Sequence, residues 1–457
     1  MLSLEYMKGE IKRKLETYLN DWKNTENHLP LIIRGARQIG KTYSIRQFGK
    51  TYKSFIEINF VDNPEYKDIF AKGYSTPEVI KRISFHNPNF KFIEKETLIF
   101  FDELQEYPDC STSLKFFAED GRFDVICSGS MMGLNYKEIS SNSVGYKIDY
   151  QMQSLDFEEY LWTKGYDESF TEEIYLHLKN MEPFTQSEFD LLNDYFLEYT
   201  VIGGMPAIVK QFMQDKTYSN ILPMQIQLVK DYEEDITKYA QGLDKTKIKN
   251  IYRNIPVFLS QENKKFQITK VSKNARNRDY VGCVEWLKDA GVVNVCYCLN
   301  NPCLPLKGNY DESKYKIYYH DNGLLMANLD EESAEDLRKK RNFGTFKGAI
   351  YENIVAQMLH SGGFDLFYYK KENAQLEMDF FVRTSESLVP IEVKAKDGAT
   401  ISLNNLITFP SYEDIRFGIK LCQKNLGFNG KFYTIPYFCT FLLKCFFKED
   451  FVIKTNE

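Results

Sequence analysis

Hydrophobic and polar positions follow two periods along this chain, and the places where they switch divide it. Leu4, Ile11, Leu15, Leu19 and Trp22 recur at helical spacing and predict an amphipathic helix at the N-terminus. The run Leu31–Arg34, apolar and β-branched, predicts a buried parallel strand. Leu98–Phe101 predicts a second, ending in Asp102 and Glu103, and "FDVICSGS" a third, ending in Ser128, Gly129 and Ser130. From Glu158 to Lys238 the pattern turns helical, as in "SEFDLLNDYFLEY" and "YEEDITKYA". "VIGGMP" at Val201–Pro206 marks a turn, with Gly203-Gly204 either a hinge or a tight bend.

The second half changes pattern again. "FQITKVSKNARNRDYVGCVEWLKDAGVVNVCYCL" predicts a short helix, a turn, a second helix and a strand, the shape of a winged helix. Ile268, Val271, Val281, Val284, Trp286 and Leu287 are its candidate core. Gly348–Gly363 predicts a helix carrying Glu352. Three strands follow: "FDLFYYKKE", "AQLEMDFFVRT" with Asp379, and "SLVPIEVKAKDG" with Glu392 and Lys394. Phe438–Phe447 predicts a buried helix.

With 457 residues the chain exceeds one core. The expected fold class is α/β, in four units. A parallel-sheet domain spans 1–165, a helical lid 166–243, a winged-helix-like domain 244–330 and a second α/β domain 331–457.

The first unit carries the clearest chemistry. Gly35-Ala36-Arg37-Gln38-Ile39-Gly40-Lys41-Thr42 fits G-x-x-x-x-G-K-[ST], directly after a predicted strand. The glycines let the backbone turn its amides inward at phosphate oxygens. Lys41 is placed to reach the β- and γ-phosphates, Thr42 to ligate Mg²⁺, and the helix opening through Tyr43 aims its positive end at the anion. Asp102, at the carboxyl edge of its strand, is the second Mg²⁺ residue. Glu103 is the candidate for polarising the attacking water, and Ser128 for sensing the γ-phosphate. The implied ligands are ATP and Mg²⁺.

The order "GARQIGKT", "FFDELQ", "ICSGS", "SLDFEEYL", "VIGGMPAIV", "KIYYHDNGL" and "IEVKA" resembles uncharacterised prokaryotic AAA-type ATPases with a C-terminal domain of unknown function. The resemblance spans nearly the whole chain. It implies an ATPase core, a helical and winged-helix middle, and a nuclease-like end. Such ATPases usually complete the site with an arginine from a neighbour or lid, yet no arginine lies between Arg122 and Arg253. Lys147 falls near the expected position, but an ammonium is a point charge and not a planar fork. An arginine finger is worth roughly 10³–10⁵ in rate. Slow intrinsic hydrolysis is expected unless a homo-oligomer, a protein partner or another part of the chain supplies the cation.

Charge enters the picture locally. The net charge is −6, which excludes a globally basic nucleic-acid binder. Lys245–His320 holds 14 Lys and Arg against 6 Asp and Glu, a local +8. Lys273, Arg276, Asn277, Arg278 and Tyr280 sit in the turn and at the start of the second predicted helix, where such a helix can meet a major groove. DNA binding and a winged helix used only for packing both fit.

At the C-terminus, a helix Glu352, a strand Asp379 and Glu392-x-Lys394 resemble the PD-(D/E)xK arrangement. Glu392 and Lys394 share a strand face. Paired carboxylates repel, and a divalent ion held by Glu352, Asp379 and Glu392 would turn that cost into ligation and activate water on a phosphodiester, with Lys394 orienting it. A salt-bridged surface strand has the same pattern.

The remaining features narrow the class. Nine cysteines show no disulfide framework; Cys296, Cys298 and Cys303 cluster, but read as strand-packing thiols rather than zinc ligands. No 18-residue apolar run and no signal-peptide pattern occur, so a reducing cytoplasm is the expected compartment and no membrane partner is expected.

Overall fold

The computed structural model describes residues 11–130, 143–240, 244–261, 265–266, 280, 282–329, 345–371, 376–395 and 398–448. The N-terminal unit contains α1 (Lys14–Asn24), β1 (Leu31–Gly35), α2 (Lys41–Gly49), β2 (Ser54–Asn59), α3 (Thr76–His86), β3 (Thr97–Asp102), α4 (Leu114–Asp120), β4 (Asp124–Ser130) and β5 (Ile148–Gln151). The strands form one parallel sheet in the order β2-β3-β4-β1-β5.

Both faces of this sheet are covered, which is why its strands read as continuous apolar runs and not as alternation. Leu31, Ile33, Leu98 and Phe100 face a layer that includes Leu15, Leu19, Trp22, Ile45 and Phe48 of α1 and α2. Ile32, Ile99, Phe101 and Val125 face Val79, Ile83, Leu114 and Phe117 of α3 and α4. Strand β4 lies between β1 and β3. It therefore inserts Ser128 between the phosphate loop and Asp102.

Five helices follow: α5 (Phe157–Thr163), α6 (Glu168–Asn180), α7 (Gln186–Ile202), α8 (Pro206–Asp215) and α9 (Ile221–Tyr239). The starts of α5 and α7 are fixed locally by capping boxes, Asp156 with Glu159 and Thr185 with Glu188. The Gly203-Gly204 turn between α7 and α8 is tightly packed. Gly203 has φ 73°, and a Cβ there would lie 2.1 Å from Asp321 Oδ1; one on Gly204 would lie 2.0 Å from the Leu155 carbonyl oxygen. Close approach of neighbouring chain accounts for both glycines.

Beyond lie α10 (Lys245–Leu259), α11 (Cys283–Asp289), β6 (Val293–Leu299), β7 (Tyr310–Tyr319), α12 (Asn322–Met326), α13 (Thr345–Ser361) and β8 (Phe367–Lys370). The chain closes with β9 (Glu377–Arg383), β10 (Leu388–Lys394), α14 (Ile401–Thr408), β11 (Gly418–Cys422), β12 (Gly427–Phe428), β13 (Phe432–Pro436) and α15 (Leu443–Lys448).

The expected boundary at 330/331 does not separate two sheets. Strands β6 and β7 form an antiparallel pair, and β6 also pairs in parallel with β8. One eight-stranded mixed sheet results, in the order β12-β13-β11-β10-β9-β8-β6-β7. A hairpin alone is marginal in water, and pairing with β8 gives it a larger sheet to join. Val284 and Leu287 are buried as expected, with Trp286 half-buried. Ile268, Val271 and Val281 lie outside the described residues, as do Lys273, Arg276, Asn277 and Arg278. The stretch Phe438–Phe447, expected as one helix, is a 3₁₀ turn over Tyr437–Leu442 followed by α15.

Candidate functional site: the phosphate loop and the carboxylate cluster

The loop from Gly35 to Gly40 has the backbone its glycines permit. Gly40 caps α2 in the left-handed region at φ 96°, and Gln38 also takes positive φ, 61°. Lys41 is buried, and its Nζ donates to the carbonyl oxygens of Gly35 at 3.1 Å and Ala36 at 2.7 Å. Burial lowers its pKa to about 8, with Glu103 and Asp102 pulling it back up and Arg37 adding to the depression.

Across the sheet edge, the Thr42 hydroxyl donates to Asp102 Oδ2 at 3.0 Å. Asn59 Nδ2 approaches the same oxygen at 3.3 Å. Ser128 donates to Asp102 Oδ1, and the Glu103 amide reaches that oxygen at 3.0 Å. Ser128 thus orients the carboxylate expected to serve Mg²⁺. Glu103 stands in the left-handed region at φ 58°, ψ 47°, and its carboxylate accepts from the Gln105 side-chain amide. Gln105 Oε1 in turn accepts from the Ser130 amide at 3.0 Å. One short path links the ends of β3 and β4.

The loop is held from two sides that motif reading missed. Arg13 is buried and donates to the Ile39 carbonyl oxygen at 2.8 Å, to the Gln153 carbonyl oxygen at 2.8 Å and to Glu159 at 3.0 Å. From α9, Asp235 pairs with Arg37, Asp231 accepts from Gln38 at 3.1 Å, and Tyr232 donates to the Arg37 carbonyl oxygen at 2.7 Å. The basic residue just before α1 and the i, i+4 carboxylates of α9 were the available signals. Tyr43 is partly exposed and, with Ile11, Pro206 and Ala207, walls a small recess beside Gly40. Lys147 pairs with Asp149 beside edge strand β5.

The "KIYYHDNGL" stretch is the joint between lid and C-terminal sheet. Tyr232 OH lies 3.5 Å from His320 Nε2, and His320 Nδ1 lies 2.9 Å from the Val292 carbonyl oxygen. Asp321 accepts from the amides of Gly204 at 2.8 Å and Gly323 at 2.9 Å. Asn322 donates to the Thr200 carbonyl oxygen at 2.6 Å. Burial pushes the Asp321 carboxyl up and His320 down, each partly offset by the other.

In the C-terminal sheet, the expected metal residues meet a lysine. Lys316 on β7 is 1% exposed. Its Nζ lies 3.3 Å from Glu377, 3.7 Å from Glu352 and 4.0 Å from Asp379. Burial alone would depress its pKa, but the Glu352, Asp379 and Glu377 carboxylates overcome this and hold it raised. Tyr318 donates to Glu352 at 3.2 Å, the Val393 amide to Asp379 at 2.8 Å and Lys370 to Glu377 at 2.8 Å. Glu392 pairs instead with Lys394 at 2.7 Å, and its other carboxylate oxygen is buried without a hydrogen-bond partner.

Glu352 and Asp379 are therefore brought together around Lys316, while Glu392, on the strand paired with that of Asp379, pairs with Lys394. Among the described residues no group of three or more His, Cys, Asp and Glu side chains has metal-holding geometry. Lys316 Nζ stands beside Glu352 and Asp379, two of the three residues expected to hold a metal. A +2 ion about 4 Å from that ammonium would be repelled by roughly 8 kcal/mol at an effective dielectric of 20. Cys296 and Cys298 are buried in the sheet, as expected of packing thiols.

Residues 27–161 match the model of an AAA domain. Residues 193–335 and 347–439 match two models of domains of unknown function, DUF8612 and DUF4143. An uncharacterised protein of Methanocaldococcus jannaschii is 25% identical over 367 residues, covering 77% of this chain and 71% of its own. The Walker-type ATPase of Pyrococcus abyssi aligns over 70% of this chain and 96% of its own, at 14% identity and a TM-score of 0.41. The ORC1 protein of Aeropyrum pernix, in complex with DNA, aligns over 74% of this chain and 93% of its own, at 12% identity and 0.28.

The sheet, the loop and the matched model define the N-terminal unit as an AAA-type P-loop domain. A mixed α/β sheet forms the C-terminal region. Among the described residues no helix is long and apolar enough to cross a membrane.

Proposed function

We propose that this protein binds and hydrolyses ATP with Mg²⁺, and that its nucleotide state controls a DNA-associated module in the second half of the chain. The observation that carries the reading is the 3.0 Å approach of Thr42 to Asp102 beside the buried Lys41 ammonium. Thr42 and, directly or through water, Asp102 would hold Mg²⁺, which would supply positive charge against the phosphates. Lys41 leaves the Gly35 and Ala36 carbonyls for the β- and γ-phosphates. The loop amides cradle the phosphates. The recess beside Tyr43 takes the base. Glu103 orients and polarises the attacking water once Gln105 releases it. Ser128 keeps Asp102 in place.

Control runs through α9. Arg37 is held by Asp235, and a phosphate in the loop competes for it. Tyr232 joins the same loop to His320, which precedes the Asp321 joint. A change in the loop is thereby felt at α9 and at the end of β7. The cation missing from the lid comes from a partner or a second copy. The basic segment 245–320 supplies the contacts to DNA phosphates.

A second reading, a nucleotide-gated binding protein whose C-terminal domain does not cleave, is favoured by Lys316 amid the carboxylates. Hydrogen exchange tests the control. Mg²⁺-ATP should change protection in α9 and over Tyr315–Leu324 in wild type and leave Lys41→Ala unchanged. A response confined to the phosphate loop and α2 would contradict it.

A further inference from the structure

The carboxylates of the C-terminal sheet raise a separate question, independent of ATP. Glu352 comes from α13, Glu377 and Asp379 from β9, and Lys316 from β7. Three elements thus bring three acids around one amine. The amine is 1% exposed and lies 3.3–4.0 Å from the three carboxylates and 4.9 Å from the centre of the Tyr368 ring. A buried ammonium is retained only where opposite charge compensates its lost hydration. Each acid also has a second partner: Tyr318 for Glu352, the Val393 amide for Asp379, and Lys370 for Glu377. With Lys316 and Lys370 counted against three carboxylates, the cluster is within one charge of neutral.

We propose that Lys316 is the resident cation of this cluster, standing where a metal-dependent nuclease fold would hold its divalent ion. The C-terminal domain then takes no divalent metal at Glu352 and Asp379. Its carboxylates fix the contact of β7 with β9 and α13 and do not activate water. Lys316 is four residues before His320, so the same strand that carries the joint to the lid is anchored at this cluster.

The proposal predicts that removing the ammonium creates a metal site. The test uses the full chain in a Lys41→Ala background, without nucleotide, so that metal at the P-loop does not contribute. MnCl₂ is titrated while thermal unfolding and the electron paramagnetic resonance of free Mn²⁺ are followed. With Lys316 present, Mn²⁺ should give no shift in the unfolding midpoint beyond that of Asp379→Asn. Lys316→Gln should unfold at a lower temperature without metal. Mn²⁺ should then raise its midpoint in proportion to occupancy. Adding Asp379→Asn should abolish that rise. Asp379-dependent Mn²⁺ binding in the protein that retains Lys316 would overturn the proposal, as would a folded Lys316→Gln that ignores Mn²⁺. If Lys316→Gln does not fold, the Lys316-containing arm still decides. Asp379-dependent Mn²⁺ binding there overturns the proposal, and its absence supports it.

Discussion

Lys41 Nζ lies 2.7 Å from the carbonyl oxygen of Ala36, so the loop ammonium donates to its own loop. Burial has brought its pKa down to about 8. A bound triphosphate would raise it again, since opposite charge favours the protonated form. The sign follows: affinity gained from the charged amine is fully present below pH 8 and lost as pH rises above it. ATP affinity should fall by up to about tenfold per pH unit between roughly pH 8 and the bound-state pKa. Calorimetry near pH 8.5 in buffers of different ionisation enthalpy should show proton uptake on binding. Binding without proton exchange would contradict this account of Lys41.

Glu103→Gln should bind ATP and barely turn it over. Asp102 keeps Thr42, Ser128 and the Glu103 amide as partners, so the metal carboxylate stays placed while water activation is lost. The expected loss is about 10²–10⁴-fold in rate, read by phosphate release at saturating ATP. Wild-type turnover in the variant would move the base elsewhere.

How much of this was legible beforehand depended on sequence distance. Gly35 to Thr42 could be read because each position has a local reason: a turn, a helix start, a cation, a hydroxyl. Asp102 followed from the end of an apolar strand. Ser128 was found at a strand end, but its bond to Asp102 arises from the position of β4 between β1 and β3, and no local pattern fixes strand order. Arg37 and Asp235 are 198 positions apart. Lys316 looked like one more cation of a basic segment, and only the pairing of β7 with β6, and of β6 with β8, carries it to Glu352 and Asp379. The same pairing hid the shared sheet behind an apparent domain boundary. Residues 267–279, where the sequence pattern predicts the turn and second helix of a winged helix, lie outside the described residues, and the expectation of DNA binding comes from the charge of the segment.

Gly203→Ala should destabilise the joint. The new Cβ would lie 2.1 Å from Asp321 Oδ1, at a φ of 73° that side chains rarely adopt. Overpacking and backbone strain together should cost on the order of 3 kcal/mol, read as a lower urea midpoint. An unchanged midpoint would mean that Asp321 is free to move and that the turn is the hinge first considered.

If the basic segment meets DNA through Lys273, Arg276 and Arg278, affinity for duplex should fall steeply with salt. Replacing each with Ala should reduce the log–log slope by about 0.9. Filter binding across a salt series reads this. Salt-independent affinity, or none at low salt, would leave that segment a packing role.

Nucleotide binding at the phosphate loop is open to direct measurement. Titration of wild type and Lys41→Ala with a non-hydrolysable ATP analogue in Mg²⁺, followed by calorimetry at pH 7, measures it. Wild type should give a saturable isotherm with one site per chain, and Lys41→Ala should bind at least about 100-fold more weakly, as expected when a buried charge-assisted contact of about 3 kcal/mol is lost. Equal affinities, or no binding by wild type, would contradict the assignment of this loop as an ATP site.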